Sequence, residues 1–250
     1  MYLLGSVHML PEGSFPLPAS VEAAYDDAEV LAFELDLDEA MAAAPQMMQA
    51  GMGEESVADA LDADQKAAFD AYVADLGLPA GALDQFEPWM AGLTLSTLMI
   101  QDAGLTGEGV DPHFFERAKT DGKERVAFET VEIQTAAFDD LSVEDQVAFL
   151  MAGIEDEPDA ATEMLGRMVD AWATGDDDGL AAIMTDEMSA TSAVFEALLT
   201  NRNRAWVPQI EALLAREGED ALVVVGAGHL VGDDSVIAML RAAGYTVERL

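Results

Sequence analysis

Tyr2-Leu3-Leu4-Gly5-Ser6-Val7-His8 near one end of the chain and Val223-Val224-Val225-Gly226-Ala227-Gly228-His229 near the other read as the same device used twice. Each is a short apolar run that stops at a glycine and places a histidine three positions later. Such runs, closed by glycine, read as buried strands. After the first, the segment 21–29 (VEAAYDDAE), entered through Pro16, Pro18 and Ser20, has helix-start character, and Val30 to Leu35 reads as the next strand. After the second comes a helix near 234–243, then Gly244 and an expected closing strand at 245–250. Strand-loop-helix-strand units build mostly parallel sheets, so the two ends are expected to form halves of one α/β platform with a mixed, mostly parallel sheet.

The middle of the chain follows a different pattern. Helical periodicity dominates 57–78, 88–101, 143–151 and 159–214, with loops at GLPAGAL, GLTGEGVDP and TGDDDG. One strand is expected inside it, near 124–130, after the turn-like Thr120 to Lys123. The reading is a single domain over 1–250, in which 1–40 and 220–250 make the platform and 41–120 and 135–215 form a large helical insert or cap. Apolar residues make up 51% of the chain and aromatics only 7%, the balance of a protein rich in Ala-lined helices.

Charge excludes whole classes of partner. With 49 acidic against 11 basic side chains, the net charge is −38, which leaves little cationic surface to displace counterions from phosphates. Nucleic acid is therefore not an expected partner, and an anionic membrane would repel the chain. A solvated acidic surface, as in proteins adapted to high salt, is the plain reading; an acidic face that concentrates cations near a site is the sharper one. Cysteine is absent, which removes disulfides, thiolate metal sites and cysteine nucleophiles. No stretch is long and apolar enough to span a bilayer, the run 89–100 being too short. The expectation is a soluble protein, cytoplasmic as the chain stands and periplasmic or exported if an upstream signal was removed; its oligomeric state is open.

Of three histidines, His8 and His229 lie where parallel strands deliver ligands, just past their carboxyl ends, and Gly5, Gly226 and Gly228 there let backbone approach a substrate closely. Glu34 and Glu129 end the second and the inserted strand, which brings carboxylates to the same edge. Imidazole with carboxylate suits a divalent ion such as manganese, cobalt, zinc or iron(II), and a carboxylate can also serve as general base. Arg202 and Asn203, in NRNRAW, sit on a helix with apolar residues at helical spacing; a rare cation there can offset developing negative charge. His113 reads as a surface or capping residue, and Met41, Met47, Met48 and Met52 as flexible core filler in preference to a substrate groove or a lid over an apolar ligand.

YLLGSVHMLP, FELD, GVDPHFFERAKTDGK, FETVEIQ, WATGDDDGL, NRNRAWVPQIEALL and the C-terminal VVVGAGHLVGDDSVIAMLRAAGYTVERL together resemble the TraB/GumN family, which includes the TIKI proteases and is similar to the erythromycin esterase and ChaN-like proteins. The resemblance implies an α/β fold with a helical insert and a site built from His8, His229, Glu34, Glu129, Arg202 and Asn203. It also implies metal-dependent hydrolysis of peptide or amide bonds, with esters second. Members usually carry an export signal and a further strand before the YLLGSVH segment, neither of which is seen here. Two other readings stay open: a metal or small-ligand binding module without catalysis, and a metal-free hydrolase in which a histidine activates water directly.

Overall fold

A computed structural model describes residues 1–53, 55–154, 160–188 and 192–250. Four strands, β1 (Tyr2–Ser6), β2 (Val30–Phe33), β3 (Glu124–Ala127) and β4 (Ala221–Gly226), form one sheet in the order β1-β4-β2-β3. All pairings are parallel. The register aligns Ser6 with Gly226, and Phe33 with both Val224 and Ala127, so every strand delivers its chain at the same edge.

Helix α1 (Ala19–Asp27) joins β1 to β2. The chain then passes through α2 (Leu37–Ala50), α3 (Val57–Ala60), α4 (Ala63–Asp75), α5 (Pro88–Asp102) and α6 (Val110–Asp121) to β3. It returns to β4 by α7 (Val131–Asp139), α8 (Val143–Ala152), α9 (Ala160–Thr174), α10 (Asp177–Met188), α11 (Ser192–Phe195) and α12 (Asn201–Leu214), and α13 (Val236–Ala242) closes the fold.

Alternation along the strands sorts the core into two faces. Leu31, Phe33, Leu222 and Val224 pack against Tyr25 of α1 and Phe114 and Phe115 of α6; Val30, Ala32, Val223 and Val225 pack against Trp206 and Ile210 of α12 and Leu240 of α13. A parallel sheet covered on both faces has no solvent side, which is why its two central strands, β2 and β4, read as unbroken apolar runs. Of the helical stretches between the two halves of the platform, α6 and α12 thus lie directly on the sheet. A separate core of Val57, Phe69, Val73, Leu95, Val147 and Leu150 ties α3, α4, α5 and α8 together. Trp172 of α9 donates from Nε1 to the Gly5 carbonyl (2.8 Å), docking that helix at the end of β1.

The loop expected at TGDDDG is present, Gly175 closing α9 at φ 69°, while Asp159, where that helical stretch is expected to begin, lies outside the described residues. Two expectations from the sequence meet a different outcome. No strand forms at 245–250. There Tyr245 and Leu250 are exposed, the Val247 carbonyl accepts from Arg241 (3.1 Å), and Arg249 pairs with Asp177 (3.0 Å). In YTVERL neither alternating face is wholly apolar, so no ladder can bury one. The methionines are not core filler either: Met47 is half-buried, but Met41, Met48 and Met52 are exposed, because α2 turns Leu37, Ala40, Ala43, Met47 and Ala50 inward and buries no residue fully.

Candidate active site

Pairing of β2 with β3 continues one step past the strands. Phe128 N–H donates to the Phe33 carbonyl (2.9 Å) and Glu129 N–H to the Glu34 carbonyl (3.0 Å), which sets both glutamates side by side at the carboxyl edge of the sheet. From neighbouring β4, Gly226 N–H donates to Glu34 Oε1 (2.7 Å).

Arg202 fills the space between these carboxylates. Its Nε donates to both oxygens of Glu129 (3.0 Å each), Nη2 to Glu34 Oε2 (2.6 Å) and Nη1 to the Leu198 carbonyl (3.1 Å). Trp206 backs the arrangement: its ring centre lies 4.9 Å from the guanidinium, and its Nε1 donates to Glu129 Oε1 (2.9 Å). Burial acts to lower the pKa of Arg202, but Glu34 and Glu129 outweigh it and the net direction is up. The side chain reaches this position through a π-helical stretch, Glu196–Thr200, that runs into α12. Wider turns of this kind recur where a helix must re-aim a functional side chain.

His229 ends a 3-10 turn, Ala227–His229, and is buried. Its Nδ1 lies 2.6 Å from Asn203 Oδ1, while Asn203 Nδ2 donates to the Asp234 carbonyl (2.8 Å). The second bond orients the amide, so Oδ1 must accept and Nδ1 must carry the proton. The lone pair of Nε2 is left beside Arg202 Nη1 (3.3 Å) and Glu34 Oε1 (3.7 Å). Burial lowers the pKa of His229 to about 4, prevailing over the opposite pull of Glu34, so the ring is neutral at pH 7. For Glu34, burial acts upward, but His229, Arg202 and the Gly226 N–H outweigh it and hold the carboxyl below its ordinary value.

His8 lies two residues past β1, at the open side of the site. Its Nδ1 is 3.2 Å from Asp111 Oδ2, and Asp111 Oδ1 accepts from Ser6 Oγ (2.7 Å). The bond to Asp111 raises the pKa of His8 to about 9, with burial opposing. The ring itself is 73% exposed, however, so water screens the pair. Glu34 and Arg202 both act on His8 through their charges, and His8 acts on His229, which places these groups within one another's field. The loop after β1 is laced to the start of α6: Val110 N–H donates to the Val7 carbonyl (3.0 Å) and Gly107 N–H to the Leu10 carbonyl (2.8 Å).

At the three glycines expected near a substrate, an added side chain would meet atoms of the protein itself. A Cβ at Gly5 would stand 3.1 Å from Ala227, one at Gly226 3.2 Å from Glu34 Oε1, and one at Gly228 2.8 Å from Met184 Cε. His113 stacks on Phe15 (3.8 Å between ring centres) and pairs with Glu108 (3.0 Å), a satisfied structural histidine.

Over residues 1–249 the chain matches the model of the TraB/PrgY/gumN family. The chain belongs to that family. It is 23% identical to an uncharacterized protein, YbaP, of Escherichia coli (strain K12) over 244 residues, 96% of this chain and 87% of that protein, and equally to YbaP of Shigella flexneri. A shorter stretch of 66 residues is 38% identical to a metalloprotease TIKI homolog of Amphimedon queenslandica, covering 26% of this chain and 13% of that protein. No solved structure matches.

In this TraB/PrgY/gumN chain the sequence pointed to His8, His229, Glu34, Glu129, Arg202 and Asn203, but passed over Asp111 and Gln134. Gln134, on the first turns of α7, donates from Nε2 to Glu34 Oε2 (3.4 Å). Asp111 left a signal: with Phe114, Phe115 and Ala118 it falls on the buried stripe of α6, and an acid on an apolar stripe needs a partner.

Imidazole and carboxylate are donor types that a divalent ion takes. Histidines that ligate metals have their other ring nitrogen held by an oxygen acceptor, and here Asp111 holds His8 and Asn203 holds His229, each by Nδ1. Nε2 of His229 stands near a carboxylate oxygen of Glu34. Among the described residues no group of three or more acidic or histidine side chains is drawn together as a ligand set, and Arg202 already lies beside the His229 lone pair.

Proposed function

We propose that this chain is a hydrolase of peptide or amide bonds that holds a divalent ion, manganese, cobalt or zinc, through His8, His229 and Glu34. The observation that carries the reading is that both imidazoles are tied by Nδ1 to an oxygen, which leaves Nε2 as the ligating nitrogen of each, that of His8 once an ion displaces its proton. Partial similarity to a protein named as a metalloprotease homolog supports it. Such an ion, when bound, polarises a carbonyl and acidifies water.

The chain's own residues supply the rest. Asn203 and Asp111 fix the two rings. Burial keeps His229 neutral, so no proton competes for Nε2 at pH 7. Glu34, held ionised by Arg202 and the Gly226 N–H, presents Oε1 to accept a proton from a water beside His229. Arg202, pinned by Glu129 and Trp206, offsets negative charge on a tetrahedral oxygen.

Elemental analysis of the purified protein, followed by chelation and add-back on a mixed peptide library, tests this. His8→Ala and His229→Ala are each expected to abolish metal uptake and cleavage together; full activity in metal-stripped enzyme would sink the mechanism. The tautomer that Asn203 fixes favours a second reading, in which neutral His229, with Nε2 unprotonated, itself takes the proton from water. Cleavage unchanged by chelator and lost in His229→Ala would select that reading.

A further inference from the structure

Residues 40–53 (AMAAAPQMMQAGMG) contain no charged side chain, in a protein where 24% of residues are charged. The run 88–101 is equally free of charge, but it builds α5, seven of whose residues are buried. By contrast α2 buries none and lies on the surface. Met41, Pro45, Met48 and Met52 recur at helical spacing, and the three methionines are 70%, 48% and 50% exposed. Packed beside α2 is α7, which leaves Ile133 54% exposed and likewise buries no residue. A neutral apolar stripe within so acidic a surface is a binding surface by its chemistry.

Position says what binds there. Helix α2 begins three residues after Glu34 and α7 two residues after Glu129, and Gln134 of α7 reaches Glu34. The stripe therefore starts at the candidate active site and leads away from it. Met41 to Met48 spans about 10 Å of helix, the length of about three residues of extended chain, and Met52 prolongs it past the helix end. Unbranched, polarizable methionines conform to varied apolar side chains without demanding one shape. A second copy of the protein is a poor occupant, since two chains of net charge −38 would meet there, and an anionic bilayer is repelled for the same reason.

The geometry points to the α2–α7 face as the docking wall for an extended polypeptide segment with apolar side chains and neutral or basic flanks, adjoining the site where that segment is cut. Cleavage of the segment rests on the hydrolase reading; its docking does not. The test uses a fluorescein-labelled decapeptide alternating leucine with serine, with lysine at both ends, and a control with every leucine replaced by serine. Binding is read by fluorescence anisotropy to the full chain and to the M41Q/M48Q/M52Q variant, both in the His229→Gln background that prevents turnover, with the fold checked by circular dichroism. The leucine peptide is expected to bind at least about tenfold more weakly to the triple variant, and the serine peptide to bind neither. Equal affinity for both proteins, or no binding of the leucine peptide, overturns the proposal. So does a methionine-dependent dimer in sedimentation, or methionine-dependent flotation with neutral phosphatidylcholine vesicles. Mass spectrometry of the peptide with metal-loaded chain of natural sequence separates the two claims: binding that needs the methionines without any cleavage sinks the hydrolase reading alone, and cleavage unaffected by the triple substitution sinks the docking wall alone.

Discussion

Burying His229 as a neutral ring ties stability to pH. Its folded pKa, about 4, lies below the ordinary value of 6.5, so between those limits the unfolded chain binds more protons than the folded one. Stability from this residue is then complete above pH 7 and falls as the pH drops through 6.5 toward 4, by about 3 kcal/mol in all. His229→Gln removes the titration while keeping a polar side chain opposite Asn203. The difference in unfolding free energy, natural sequence minus variant, is expected to be flat above pH 7 and to shrink by about that amount by pH 4; a difference that grows on acidification would contradict a buried neutral ring. At this scale the sequence was legible where a residue type and its place carried the message together. Two G-x-x-H motifs closing apolar runs marked His8 and His229, and strand ends marked Glu34 and Glu129. Asp111 was not legible, because it meets His8 from 103 positions away and only through the packing of α6 beside β1. Nor was the central place of Arg202, since nothing in NRNRAW announces the π-helical stretch that aims it.

Elements were readable as units and less so as neighbours. Helices α5, α8 and α13 lie where periodicity placed them, within a residue or two at each end, yet periodicity cannot say that α6 and α12 lie on the sheet while α4 and α5 build a core of their own. The contact between α6 and the loop after β1 shows what such adjacency requires. Gly109, the N-cap of α6, has ordinary backbone angles (φ −81°, ψ 171°), so its need for glycine is one of space: a Cβ there would overlap the backbone of His8. Gly109→Ala must force loop and helix apart, straining the Val110-to-Val7 bond and the reach from Asp111 to His8. A loss of about 1–3 kcal/mol is expected, the range for overpacking a close contact. Urea denaturation measures it, and the unfolding midpoint should fall with the slope unchanged. A midpoint equal to that of the natural sequence would mean that the two segments separate at no cost and do not hold His8.

Across the whole molecule the acidic excess sets a dependence on salt that no single contact reveals. Added salt has two opposed effects. It weakens exposed ion pairs such as Arg249 with Asp177 and Arg204 with Glu196, each worth at most about 1 kcal/mol. It also screens the mutual repulsion of a surface with 49 acidic and 11 basic side chains, which presses on the compact state more than on the expanded one. Only 11 basic side chains exist to be unpaired, whereas the net charge of −38 is repelled throughout, so the second effect dominates. Shortening the Debye length from about 10 Å at 0.1 M to about 3 Å at 1 M is expected to raise the urea midpoint steadily in potassium chloride. The buried cluster of Arg202, Glu34 and Glu129 is exempt, being shielded from ions by the helices around it, so the site keeps its geometry over the same range. The check is a series of urea titrations from 0.1 to 2 M potassium chloride, followed by the fluorescence of the three tryptophans, Trp206 beside the site among them. A midpoint that falls with salt would show that paired surface charges, not repulsion, govern the stability of this fold.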